Sequence, residues 1–478
     1  MTDCDVLVVG SGPNGLAAAV TMAHAGLSVL VVEGEERIGG GLRSSPSVMD
    51  GIIHDDYASA HPLALTSPFF RRWGLTRRVA MRSSDVPFAH ATASEQVTAH
   101  RDLSTTAAKL NAHDGTGTAY ERLLGPLVDD LDNLVQIVLG HVTSPLRTPQ
   151  TAIQIGLSAL SASQFFGTRP VRGAAAALLA GVAAHTGTSL RDPASLAAGL
   201  VLAACAHGQG WPVALGGSQS IATALHDDLV AHGGRVVTSH LVRALDDLPS
   251  ATAVLWDTPT STLVDVYQKQ LPSGWRRAAM RKQRMLGVGR VDLVLEGKPR
   301  WKNPELGNAG TVHIGADRNG TDAAIRRTLR GSHALRPFML VSQPAASDPS
   351  RRVDELEPLS AYVHTPLDDT TDPAQSILDA LDEQAPGLRE QVVRMSSTSA
   401  SRLSVRNPNL RGGNITGGSG GTFDLLRRLG AEPWRVPSAA IYHCSASTPP
   451  GPGVHGMSGW HAAKAALRQE FGLDAPFA

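Results

Sequence analysis

Gly10, Gly12 and Gly15 stand at a spacing that can do one kind of chemistry, the gripping of a diphosphate. Gly10 permits a tight turn out of a strand, Gly12 lets backbone come close to the phosphates, and Gly15 lets the next helix pack on its sheet. With Pro13 and Asn14 in its first turn, that helix offers unpaired N–H groups and a positive dipole end to an anion. Glu33 follows about 20 residues on, where an acid binds ribose hydroxyls. Its charge disfavours a 2′-phosphate, and so NADP. The elements that must position these groups are legible. Cys4–Gly10 reads CDVLVVG, the continuous apolar run of a buried parallel strand. LAAAVTMAHAG then reads as an Ala-rich helix stopped by Gly26, and Ser28–Glu33 as a second buried strand ending on its acid. The glycines thus sit in a strand–turn–helix–strand unit, which makes a dinucleotide site the expectation.

The next residues, Glu33-Gly34-Glu35-Glu36-Arg37-Ile38-Gly39-Gly40-Gly41, resemble the E-x(3)-R-x-G-G segment of the flavoprotein superfamily that includes amine oxidases and phytoene desaturases. The resemblance implies FAD, with Gly39 and Gly40 running beside the pyrophosphate and flavin and Arg37 neutralising phosphate. Many members carry Arg directly after the glycine pair; here that place is Gly41, with Leu42 and Arg43 behind it. The stretches His54–Pro62, Ser67–Phe70, Gly210-Trp211-Pro212 and Gly216–Ser220 resemble the phytoene-dehydrogenase-related branch. RVVTSHLVRAL (235–245) reads as a strand, and in the superfamily such a strand presents a Val backbone to adenine, a position Val242 fits. At the C-terminus, Ser438–Ala446 reads as a strand, and Val454–Trp460 opens a helix running to about Phe471. That helix start would aim its dipole at the flavin edge where negative charge grows on reduction, bringing Gly453, Val454, His455 and Met457 to the cofactor. Cys444-Ser445 stands where many members have Gly-Asp or Gly-Glu.

The expected fold class is α/β: a Rossmann-like FAD-binding domain interleaved with a mixed α+β substrate domain. The FAD domain is expected from 1–62, 213–275 and 430–478, and the substrate domain from 63–212 and 276–429. Strands are expected at 286–296, 338–342 and 359–364, and helices across 120–210. No second G-x-G-x-x-G follows a strand, so no separate NAD(P)H domain is expected. Arg411–Gly421 (RGGNITGGSGG) is read as a loop over the site.

The resemblance implies hydride transfer from an organic substrate to flavin N5, by a dehydrogenase or desaturase. An amine or amino-acid oxidase and a flavin-binding scaffold with little catalysis are the alternatives. The weak catalytic candidates are His61, His207 and His455, each competing with a structural role. Aromatic residues are 4% of the chain, too few to suggest an aromatic cage, which favours an apolar small-molecule substrate. Oxygen or a quinone would accept the electrons. Lys+Arg and Asp+Glu balance at 43 each, so no nucleic-acid partner is expected. Cys4, Cys205 and Cys444 form no C-x-x-C pair and read as reduced, buried thiols, with no metal site. No apolar run reaches the roughly 20 residues of a bilayer span, and no secretory signal is visible. A cytoplasmic protein is expected; peripheral membrane contact and a homodimer are both compatible with the sequence.

Overall fold

The computed structural model describes residues 3–141, 149–163, 171–281, 284–418, 421–422, 432–438 and 440–477. The chain opens with strand β1 (Cys4–Val9), helix α1 (Pro13–His24) and strand β2 (Val29–Val32). The two strands pair in parallel, Val6 opposite Val29 through Val9 opposite Val32. Their apolar side chains alternate between two cores: Val6, Val8, Val29 and Val31 face one, Leu7, Val9, Leu30 and Val32 the other. Both faces are covered, which is why these strands read as unbroken apolar runs.

The sheet has five parallel strands in the order Ile441–His443, Ala251–Trp256, β1, β2, Arg235–Val237. Its strands therefore come from three separated stretches of chain, and the arrangement is Rossmann-like. A second, mixed sheet of seven strands runs Val392–Thr398, Gly287–Glu296, Leu356–Thr365, Met339–Ser342, Ala309–Ile314, Val86–Ala91, Gln96–Ala99. Its pairs are antiparallel except Ala309–Ile314 with Val86–Ala91. The Ala/Leu-rich helices Gly173–Ala183 and Pro193–Gly208 pack together against this half.

A hairpin of β3 (Ser44–Met49) and β4 (Ile52–Asp55) joins the two halves. Arg351, 2% exposed, pairs with Asp55 at 3.1 Å and Asp348 at 3.2 Å. Arg290 adds bonds to the carbonyls of Asp55 and Asp56.

Three expected elements are shorter than their sequence pattern. RVVTSHLVRAL is a strand only over Arg235–Val237. Ser239 then takes φ 55°, and the N–H groups of Ser239 and His240 turn to the carbonyls of Glu35 and Glu33. Val242 consequently lies beyond the strand, packed against the core that includes Val32 and Trp256. Ser438–Ala446, of which Ala439 lies outside the described residues, is a strand only over Ile441–His443, because Ser445 closes a turn onto Ser447 and Thr448. The C-terminal helix starts only at Met457, held off its expected start by Gly456 at φ 66°, and runs through Ala466 into a π-helical turn over Leu467–Phe471, its expected end. Residues 419–420 of the expected loop 411–421 lie outside the described residues. No described helix is long and apolar enough to cross a membrane.

Candidate cofactor site

The turn after β1 is built around its glycines. Gly10, at φ 98°, leaves the strand in the left-handed region. Glu33, at the end of β2, accepts from the Ser11 N–H at 2.8 Å and the Ser11 hydroxyl at 2.5 Å, and from the Glu35 N–H at 3.0 Å. Gly39, at φ 114°, donates its N–H to the Ser11 carbonyl at 3.0 Å, folding the second glycine run back over the first. A methyl group on Gly40 would stand 2.9 Å from Gly12 Cα. Two stretches of bare backbone thus face each other at the N-terminus of α1. Gly12 and Gly40 have N–H groups with no acceptor among the described residues, and α1 has no acid in its first turn. Free donors, no side chains and a positive helix end fit a diphosphate.

The other residues expected at the cofactor have these surroundings. Pro13 and Asn14 open α1; Asn14 is buried and its Oδ1 has no partner. Gly34 lies under Leu241, whose Cδ1 a methyl there would meet at 2.9 Å. Gly41 has open space where a side chain would be, and Leu42 is fully buried. Arg37 donates to the Ser44 carbonyl and reaches Gln219 at 3.5 Å, so here it braces the loop. Arg43 is buried against Tyr57, donates to its hydroxyl at 3.1 Å, and keeps an unpartnered Nε.

Asp257, at the end of Ala251–Trp256, is a site residue that the sequence reading missed. Its Oδ2 accepts the Gly15 N–H at 2.7 Å. Methyl groups on Gly12 and Gly15 would stand 2.7 and 2.9 Å from that same oxygen. The partners are 242 residues apart, and nothing in the local WDTP sequence announces the meeting.

The histidine candidates separate. His207 has both ring nitrogens engaged, Nε2 with the Tyr120 hydroxyl at 2.9 Å and Nδ1 with the His100 carbonyl at 2.9 Å, which leaves neither for a substrate. His455 is fully buried; Nε2 donates to the Gly451 carbonyl at 3.1 Å and Nδ1 accepts the Met457 N–H at 3.0 Å. It therefore shapes the bend Gly453–Met457 in which Val454 is buried, and burial holds its ring down to about 4. His61 bonds the Ser218 hydroxyl at 2.9 Å, its Nδ1 is unpartnered, and burial lowers it to about 4. All three cysteines are free and buried.

A different histidine group gathers over the mixed sheet. His90 and His313 are register partners on adjacent parallel strands. His185 Nε2 lies 2.7 Å from His313 Nε2. Gly181 makes the space: a methyl there would fall 2.6 Å from His90 Nδ1 and 2.7 Å from His313 Nδ1, both unpartnered. His185 and His364 line a recess closed by Val288, Asn414 and Thr416. Burial lowers His185 and His90 to about 4 and His364 to about 3, so these rings are neutral at neutral pH. The recess is tied to the turn after Ile441–His443, since Ser447 donates to the carbonyl of Gly417, the neighbour of the lining residue Gly418, at 2.7 Å.

A glycine cradle that fits a diphosphate, on a parallel sheet accompanied by a second, mixed sheet, is the arrangement of a dinucleotide-binding protein. The comparisons agree. The FAD dependent oxidoreductase family profile matches residues 5–114. The sarcosine oxidase alpha subunit of Rhizobium meliloti (strain 1021) is 46% identical over 55 residues, which is 12% of this chain and 6% of that protein. The 4-oxocyclohex-2-ene-1-carboxylate 5-dehydrogenase of Sinomonas cyclohexanicum is 62% identical over 37 residues, 8% of this chain and 6% of that one. The match thus spans about one-seventeenth of either relative. Over whole chains, a putrescine oxidase variant has a TM-score of 0.62 at 17% identity, covering 98% of this chain and 99% of its own. Cyclohexylamine oxidase from Brevibacterium oxydans IH-35A has 0.56 at 15%, covering 97% and 98%. The chain shares its fold with these two oxidases, and its N-terminal quarter matches the FAD dependent oxidoreductase profile.

Proposed function

We propose that this protein is an FAD-dependent dehydrogenase that removes a hydride and a proton from a small, largely apolar organic substrate. The observation that carries the reading is the recess lined by the neutral imidazoles of His185 and His364 with Leu286, Val288 and Ile415, in which Arg284 is the charged side chain and no carboxylate occurs among the described lining residues. Bound FAD supplies the two-electron acceptor, and oxygen or a quinone reoxidises it. Gly12, Gly40 and the α1 N-terminus hold the diphosphate, Glu33 the ribose, and Val242 the adenine side. Arg37 and Arg43 add positive charge near the phosphates and flavin. His185, neutral and backed by His313, accepts the proton that leaves the substrate.

The fold likeness to putrescine and cyclohexylamine oxidases supports a second reading, amine oxidation. An anaerobic screen that follows flavin bleaching separates the two. Bleaching by polyenes or small alicyclic acids, and not by amines, is the expected result. Bleaching by amines, with peroxide released on admitting air, would replace this reading with an amine oxidase. Stoichiometric flavin that nothing bleaches would make the cofactor structural.

A further inference from the structure

Asp257 is an acid placed where a cofactor's own negative charge must go. Its Oδ2 occupies the first turn of α1 at 2.7 Å from the Gly15 nitrogen. Gly12 and Gly15 lack side chains at the very points where a methyl group would strike that oxygen. The glycines of the turn therefore make room for a carboxyl group as well as for a diphosphate. A helix N-terminus attracts one anion, and here two compete for it.

The surroundings do not relieve that competition. Glu33 faces Asp257 from the end of β2, and the buried Cys444 thiol faces it from beyond Ile441–His443. His443 is turned to the Thr258 carbonyl at 2.9 Å. No ion pair to Asp257 occurs among the described residues, and Gly15 supplies a backbone N–H as its partner. Burial, with Glu33 adding to it, pushes the Asp257 carboxyl well above the usual carboxylate range, against the pull of the Gly15 N–H.

We propose that Asp257 is a positioning residue for FAD that works as the neutral acid: protonated, it shares the α1 N-terminus with the diphosphate as a hydrogen-bonding group, and ionised, it drives the diphosphate out. This rests on the FAD reading of the site. Where Asp257 is ionised in the unloaded protein, FAD binding takes up one proton. The FAD dissociation constant then rises with pH, approaching tenfold per pH unit.

The test is titration of FAD into the flavin-stripped full-length chain, read by quenching of flavin fluorescence, from about pH 6 to about pH 9, well clear of ordinary carboxylate titration. Asp257→Asn keeps an oxygen for the Gly15 N–H and loses the charge; Asp257→Ser serves if the first variant folds poorly, and thermal midpoints of the stripped proteins check folding. Expected is a dissociation constant that climbs with pH in the parent and stays flat in Asp257→Asn, with the variant binding at least ten times tighter at the alkaline end. A flat profile in the parent, or the same slope in the variants, overturns the proposal while leaving the FAD site intact. Failure of the parent to bind FAD at any pH overturns both.

Discussion

His185 meets the recess already tied to His313 at 2.7 Å, and the two rings cannot both be protonated cheaply in so buried a place. A ring held down to about 4 is unprotonated, and so free of a proton, over the whole neutral range. Its folded pKa lies below the ordinary histidine value, so the working form is lost only as pH falls through about 4. His185→Gln is expected to lower kcat by about 100-fold, the lower end for loss of a general base, and to abolish the acid limb of the pH–rate profile. A pH profile unchanged in the variant would remove His185 from proton transfer. Gly12→Val is expected to strip FAD from the purified protein, because its side chain would strike Asp257 and fill the diphosphate approach; retained flavin absorbance would contradict the site. The glycines and Glu33 were legible because their spacing carries the chemistry locally. His90, His185 and His313 were not, since their meeting depends on pairing two strands more than 200 residues apart and on the gap at Gly181.

At the level of elements, the closest packing under the cofactor site is between α1 and the C-terminal helix Met457–Ala466. A methyl group on Gly459 would stand 1.9 Å from the Asn14 carbonyl oxygen, and backbone cannot yield as a flexible side chain does. Gly459→Ala should therefore force the helices apart, costing about 1–3 kcal/mol, read as a lowered thermal midpoint. Because Asn14 stands in the first turn of α1, weaker FAD retention should accompany it. Sequence pattern located both helices, since their apolar faces and flanking glycines are local signals. It overextended the strand after Arg235 because Val237, Leu241 and Val242 look equally strand-like; the positive φ of Ser239 and its hydrogen bond to the Glu35 carbonyl end the ladder, and both depend on where β2 lies.

Across the whole molecule, the cofactor half and the substrate half meet at the β3–β4 hairpin, and their joint is a buried charge network. Asp55 accepts from Ser44 at 2.7 Å, Ser59 at 2.7 Å and the Ser218 N–H at 2.8 Å, as well as from Arg351. Burial alone would raise its carboxyl, but Arg351 and these donors overcome that and hold it below the usual carboxylate range. A lowered folded pKa stabilises the protein above the unfolded value near pH 4, and that stability is lost as pH falls through the folded one. Removing the Asp55 charge leaves the buried Arg351 guanidinium with Asp348 as its remaining carboxylate, so the cost should fall below the roughly 3–5 kcal/mol of a fully unpaired buried charge. Asp55→Asn is thus expected to lower the thermal midpoint at neutral pH and to flatten its dependence on pH below about 4, where the parent loses the same interaction by protonation. FAD release and unfolding should coincide in the variant, because Ser44 and Ser218 join the same network to the glycine segment and to Gln219 beside Arg37. Retention of full flavin through a destabilised midpoint would show instead that the two halves part without disturbing the cofactor.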